Sequence, residues 1–153
     1  MPALTVAASA SLYRAFRPRR ARLVAITLGV VSLAALGLLA VFLPPIVGVA
    51  GALLDRLAVG LLGAAIAWFC YRQATVRAIP DAAGLTVRNL FLTRRLEWTE
   101  IVSVRFGQGR PWVQLDLAGA DTVAVMGIQR SDGEYAAAEA RRLATLVALR
   151  EAR

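Results

Sequence analysis

Few side chains in this sequence have the types and spacing that catalysis or metal binding requires. The chain contains no histidine, which removes the usual proton-transfer group near neutral pH and the commonest metal ligand. Its single cysteine, Cys70, falls in an apolar run and offers no disulfide, zinc or iron–sulfur spacing. Glu97 and Glu100 are paired carboxylates, but nothing else converges on them to assemble a site. We therefore predict no catalytic residue, no metal and no cofactor, and a protein that is not an enzyme.

Long uncharged runs occupy the first half of the chain. Residues 23–54 and 57–71 contain no charged side chain. A bilayer core about 30 Å thick needs roughly 20 apolar residues for each helical crossing. We predict two transmembrane helices at about 23–43 and 57–71. Pro44 ends the first helix, and residues 46–56 are expected to form a turn at a water interface.

The arginines that flank these runs predict an orientation. Five arginines lie in a basic amino-terminal tail, residues 1–22, and Arg72 and Arg77 follow the second run, whereas the connector carries only Arg56. Positively charged flanks stay in the cytoplasm. We predict a multi-pass protein of the cell membrane with both termini in the cytoplasm. A cleaved signal peptide that ends near residues 50–52 is the alternative interpretation.

The positive charge of the chain does not indicate a nucleic-acid partner. The formal net charge is +8, and every basic residue is an arginine. Five of these charges belong to the tail at residues 1–22, next to the first apolar run. Because most of the excess charge adjoins a membrane segment, we predict contact with lipid rather than with nucleic acid.

Beyond Arg72 the apolar residues recur with a period of two, which is typical of half-buried strands. The pattern predicts a domain at residues 72–153 with a meander of about six short antiparallel strands, near residues 75–79, 85–89, 94–98, 102–106, 113–117 and 123–125. A helix is expected at about 132–150. Ser131 and Glu134 fit a capping box at its start, and Glu139 is expected to lean outward toward Arg142 as a surface pair.

Several segments of this domain resemble a known family. They are Gly84–Asn89, Arg94–Ile101, the Pro111–Trp112 step and the Asp132–Gly133 helix start. They resemble the bacterial PH-like family of actinobacterial membrane proteins, of the low molecular weight protein antigen 6 type. The resemblance implies an α+β PH-like split barrel of antiparallel strands with a carboxy-terminal helix, here preceded by a membrane α-hairpin. PH folds usually have seven strands, one more than the pattern predicts.

Four side chains are the candidate binding residues. Arg88, Arg94 and Arg95 surround a short connection where anionic lipid headgroups would attract them, and Trp112 falls on the outer face of its strand or at an open barrel edge. Trp98 is expected in the core.

We predict a membrane-anchored PH-like binding or adaptor module at the cytoplasmic membrane surface. Its expected partners are membrane lipid and an unidentified membrane or cytoplasmic protein, which would dock by strand addition at a sheet edge. The alternative function is a small accessory subunit of a larger membrane complex.

Overall fold

The computed structural model describes residues 11–42, 44, 52–107 and 109–151. The chain divides into two compact units. The helical unit contains residues Arg22–Ala74. The sheet unit contains the chain on both sides of it, up to Ala21 and from Thr75 onward. The two helices are therefore an insertion in the sequence of the sheet unit.

Two long helices make up the helical unit. Helix α1 runs over Arg20–Phe42 and helix α2 over Ala52–Ala74, each with 23 residues. Both are long and apolar enough to cross a membrane. At 1.5 Å per residue each is about 34 Å long, slightly more than a bilayer core. Helix α2 begins at Ala52, so the turn predicted over residues 46–56 is wrong for residues 52–56.

The correction concerns the first turn of α2. Asp55 lies in that turn, so Asp55 and Arg56 belong to the helix rather than to a connector. A carboxylate is favourable there, because the free amides at a helix start carry partial positive charge. The charged pair therefore ends the uncharged run without marking the start of the helix, which begins three residues before Asp55. The remainder of the expected turn, up to residue 51, lies outside the described residues.

Small residues bring α1 and α2 close together. A Cβ added to Gly29 would lie 2.9 Å from the Cβ of Cys70, and one added to Gly63 would lie 3.1 Å from the Cβ of Leu36. Ala25, one turn before Gly29, is also buried. Close approach of this kind is how helices pack in lipid, where burial of apolar surface provides no driving force.

Six strands form two antiparallel sheets in the described part of the sheet unit. The first sheet has the order β1-β2-β3 and the second has the order β4-β5-β6. The strands are β1 (Arg77–Pro80), β2 (Gly84–Arg88), β3 (Thr93–Glu97), β4 (Ile101–Arg105), β5 (Trp112–Leu117) and β6 (Thr122–Gln129). Helix α3, Glu134–Glu151, follows them. The predicted architecture, two long apolar helices followed by a domain of antiparallel strands with a carboxy-terminal helix, is confirmed.

The core lies between the sheets and α3. Alternate residues of the strands face inward, as the period of two requires, and α3 contributes one apolar stripe. The inward residues include Leu85, Val87, Leu96, Ile101, Val113, Leu115, Val125, Leu143 and Leu146. Trp98 is buried among them, which confirms its expected place in the core.

Part of the amino-terminal segment, predicted as a separate tail, packs in this core. Phe16 is completely buried and forms an antiparallel bridge with Ala78 of β1. Their two backbone hydrogen bonds measure 2.8 and 3.0 Å. A Cβ on Gly127 would come within 3.0 Å of both Phe16 O and Ala78 N, so only glycine permits this approach of β6. In the described chain this single bridge occupies the outer side of β1, and no seventh strand forms.

Glu139 and Arg142 form the expected pair, but the pair is buried and holds the same segment. Glu139 is only 6% exposed, and its Oε2 lies 2.7 Å from Arg142 Nη2. The Arg142 guanidinium stacks over the Phe16 ring, 3.8 Å from its centroid. Its Nη1 also donates to three carbonyl oxygens, those of Ser11, Leu12 and Arg14. The predicted pairing of Glu139 with Arg142 is confirmed, but its predicted place on the surface is wrong, because the segment about 130 residues away in sequence covers the pair.

Asp132 caps a helix, but a different helix from the expected one. Its carboxylate oxygens accept the backbone amides of Arg19 and Arg20, both at 2.8 Å, at the start of α1. Residues Arg130–Asp132 form a 3-10 turn, and no Ser131–Glu134 hydrogen bond occurs between these two described residues. The predicted capping box is therefore wrong. Asp132 satisfies amides that a helix start leaves without intrahelical partners.

Candidate functional site

Two arginines face each other on the outer side of the first sheet. Arg77 of β1 is the register partner of Arg88 of β2. Their neighbours Ala78 and Val87 point into the core, so alternation directs both arginines to the outer face. Neither has an ion pair with any residue in the described ranges. Like charges directly opposite each other destabilise a sheet, which makes this end of the sheet a place where an anion would be stabilising.

Arg94 and Arg95 do not lie together on the same face as Arg77 and Arg88. They are consecutive in β3, so their side chains leave opposite faces of the strand. Arg94 Nη2 lies 3.7 Å from Asp121 Oδ2, and Arg95 Nη2 lies 3.1 Å from Asp81 Oδ2. Of the three predicted arginines, only Arg88 and Arg95 share the outer face, and Arg95 is already paired.

The connection between β2 and β3 presents apolar side chains to solvent. Phe91 is 65% exposed and Leu92 is 76% exposed. The turn is closed by Asn89, whose backbone amide donates to Leu92 O at 2.9 Å. We call residues Asn89–Leu92 the apolar tip.

Asn89 also ties the apolar tip to the second sheet. Its side-chain amide donates to Ala124 O at 2.7 Å, and its Oδ1 accepts the amide of Met126 at 3.1 Å. The apolar tip is therefore held in place by polar contacts at its base while Phe91 and Leu92 project outward.

The opposite end of the same sheet is a polar turn, Asp81–Ala83. The Asp81 carboxylate accepts the amides of Ala83 and Gly84 at 2.7 and 2.8 Å, and the Trp98 indole donates to Asp81 O at 3.0 Å. The two amide hydrogen bonds, with a smaller contribution from the Arg95 guanidinium, hold the pKa of the Asp81 carboxyl below its ordinary value. This end is satisfied by its own chain.

The paired carboxylates of the sequence lie next to this turn and serve the backbone. The Glu100 carboxylate accepts the amide of Glu97 at 2.7 Å across a 3-10 turn, Trp98–Glu100. Glu97 and Glu100 border a shallow polar recess with Ala83 and Arg95. The two glutamates are three residues apart because this spacing lets the Glu100 side chain reach the Glu97 amide across the turn.

Trp112, the fourth candidate, belongs to the second sheet. It begins β5, half-buried, opposite Gln129 and beside a register shift. Further along β5, the Asp116 carboxyl accepts from Ser103 and pairs with Arg105. These contacts, the Ser103 hydroxyl first, hold the pKa of Asp116 below its ordinary value. Trp112 thus occupies a different sheet from the three candidate arginines.

Strand β3 is an edge strand. Among the described residues it is hydrogen-bonded only to β2, and four of its five residues are exposed. An added strand could therefore hydrogen-bond to the backbone N–H and C=O groups on the outer side of β3.

Sequence reasoning missed Arg77, Phe91 and Leu92 as members of one surface. Arg77 was assigned only to the flank of the second helix. A signal for the apolar tip was present, since three adjacent large apolar residues, 90–92, between polar strand ends break the period of two. The pairing of Arg77 with Arg88 needed the register of the sheet, which the sequence pattern does not provide.

Comparison with known proteins agrees with this fold. Residues 75–145 match the bacterial PH domain family. Uncharacterized proteins of Mycobacterium tuberculosis and Mycobacterium bovis are 36% identical over 94 residues, 61% of this chain. The match covers 61% of the length of those relatives. No solved structure matches the chain. The family match confirms the prediction that the sheet unit contains a bacterial PH-like domain.

Proposed function

We propose that this protein is a membrane-anchored, non-enzymatic binding module whose PH-like unit acts at the cytoplasmic face of the cell membrane. The observation that carries the proposal is that the sheet unit takes in chain from both sides of the two apolar helices. Phe16, before the helices, is buried against residues that follow them. Two crossings return the chain to the side on which it started, so a membrane α-hairpin is compatible with such a unit.

The arginine distribution supports the cytoplasmic side. Arg14, Arg17, Arg19, Arg20 and Arg22 precede the uncharged run of α1, and Arg72 and Arg77 follow that of α2. Only Arg56 lies between the two runs. Short segments rich in arginine stay on the cytoplasmic side of a membrane.

A binding role fits the fold better than a catalytic one. Several described carboxylates accept hydrogen bonds in turns or at a helix start, or form ion pairs. These are Asp81, Glu100, Asp116 and Asp132. The exposed edge of β3 supports docking of a membrane or cytoplasmic protein partner by strand addition. The alternative, an accessory subunit held in a larger complex by its helices, assigns the partner contact to α1 and α2 instead.

Photo-crosslinking in native membranes distinguishes these two functions. A benzoylphenylalanine at Arg95, on β3, is compared with one at Ala148, on the exposed side of α3. Each is tested in the full chain and in a chain whose residues 22–74 are replaced by an unrelated two-helix hairpin. We expect a protein adduct from position 95 that survives the helix replacement, and none from position 148. An adduct that disappears with the native helices would instead support the accessory subunit.

A further inference from the structure

We infer that the apolar tip and the Arg77–Arg88 pair together form a lipid-docking surface, which inserts Phe91 and Leu92 into the bilayer and places the two guanidinium groups among anionic headgroups. The inference rests on the proposed function, because it requires α2 to span that same bilayer.

Exposure singles out the apolar tip within the sheet unit. Phe91 and Leu92 are the two most exposed of its large apolar side chains in the described ranges, ahead of Val102 and Leu149. They are adjacent, and the turn that carries them is fixed at its base by Asn89. A small rigid apolar projection of this kind enters a bilayer without an ordering cost for its backbone.

The length of chain between α2 and β1 limits the distance from the end of α2 to Arg77. Arg77 follows Ala74, the last residue of α2, by three positions, and three residues span at most about 11 Å. Arg88 is the partner of Arg77 on the neighbouring strand, about 5 Å away, and the apolar tip follows Arg88 directly. If the end of α2 lies at the membrane interface, the apolar tip lies within reach of that interface.

The positive charges of Arg77 and Arg88 favour anionic lipid as the ligand of this surface. Arg77 and Arg88 have no acidic partner among the described residues, whereas Arg94 and Arg95 both have one. An unpaired guanidinium beside an apolar projection matches the arrangement of phosphate and acyl chain at a bilayer surface, where each arginine gains by attraction to anionic headgroups.

The test uses the full chain in nanodiscs, with Cys70→Ala and one new cysteine that carries the fluorophore NBD. The reporter is Leu92→Cys, in the apolar tip. The control is Ala82→Cys, in the polar turn at the other end of the same sheet. Collisional quenching is measured with lipids that carry a doxyl group on the acyl chain and with aqueous iodide, in neutral nanodiscs and in nanodiscs that contain phosphatidylglycerol.

We expect the label at position 92 to be quenched by doxyl lipid and protected from iodide, more strongly with phosphatidylglycerol. The label at position 82 should show the reverse. Phe91→Ser should return the label at position 92 to water. Arg77→Gln and Arg88→Gln should each lower the equilibrium constant between the inserted and the free apolar tip about fivefold. Arg141→Gln, on the exposed side of α3, should leave this constant unchanged.

Equal iodide quenching at positions 82 and 92 in anionic nanodiscs would overturn the inference. Protection from iodide without doxyl quenching would overturn it too, since protein rather than lipid would then cover the apolar tip. Failure of the full chain to insert into nanodiscs would contradict the membrane anchor itself, and with it the proposed function.

Discussion

The two ends of the first sheet differ in where their polar groups find partners. At the polar turn, Asp81 binds two backbone amides and an arginine, and the indole of Trp98 donates to its carbonyl. At the apolar tip, Phe91 and Leu92 are exposed, and Arg77 and Arg88 have no ion pair in the described chain. The satisfied end contributes stability to the domain. The other end carries groups without a partner among the described residues, which fits the proposed lipid-docking surface.

The largest expected effect of a substitution lies at the satisfied end. Gly84 begins β2 opposite Glu97, and a Cβ there would lie 2.0 Å from Leu96 O. Because the clashing atom belongs to the backbone, Gly84→Ala must displace β3, and we expect it to lower the free energy of unfolding by about 3 kcal/mol or more. The urea midpoint of the full chain in detergent micelles, followed by tryptophan fluorescence, measures this.

Gly119→Ala is the matched control, because an added Cβ at this turn meets nothing within 4 Å. Its urea midpoint should equal that of the native chain. Equal midpoints for Gly84→Ala and the native chain would contradict the close contact of β2 with β3.

A smaller effect is expected when the polar turn loses its carboxylate. Asp81→Ala removes the acceptor of two amides and the partner of Arg95, so we expect the free energy of unfolding to fall by about 1 to 2 kcal/mol. Phe91→Ser, at the other end of the sheet, should change it by less than about 0.5 kcal/mol, because an exposed side chain makes few contacts. Differential scanning of the two variants in the same detergent measures both. If Phe91→Ser were as destabilising as Asp81→Ala, the two ends would not differ in the way described.

The smallest effect concerns pH. The pKa of Asp81 in the folded state lies below its ordinary value of 3.8, so its contribution to stability is complete above about pH 5 and declines as the pH falls through 3.8 toward the folded pKa. The difference in unfolding free energy between the native chain and Asp81→Asn should therefore shrink between pH 5 and pH 3. Asp116, whose pKa is also lowered, is present in both proteins and cancels. A difference that grows as the pH falls would contradict the assigned direction of the shift.

Local patterns in the sequence were sufficient for the strands and for α3. Alternation over 113–117 and the stripe of Leu143 and Val147 have structural causes that act within a few residues, and the observed elements follow them closely. The start of α2 was harder to predict from the sequence, because Asp55 is compatible with a helix start as well as with a connector.

Contacts between distant parts of the chain explain what the sequence could not predict. Asp132 binds amides 112 and 113 residues away, and Arg142 binds carbonyls about 130 residues away. Such pairs leave no periodic trace in a single sequence. The separation of Arg94 from Arg95 was predictable, since consecutive residues of a strand face opposite sides, whereas the pairing of Arg77 with Arg88 depends on register.

The topology of the chain is tested by chemical labelling of single cysteines in intact bacteria. Arg17→Cys, Ala82→Cys and Gly48→Cys are each introduced with Cys70→Ala and exposed to a maleimide that does not cross membranes. We predict that the cysteine at position 48, between the two helices, reacts in intact cells, and that those at positions 17 and 82 react only after permeabilisation. Reaction of positions 17 and 82 from opposite sides, or of position 82 in intact cells, would contradict a PH-like unit built from both flanks of the helices at the cytoplasmic face.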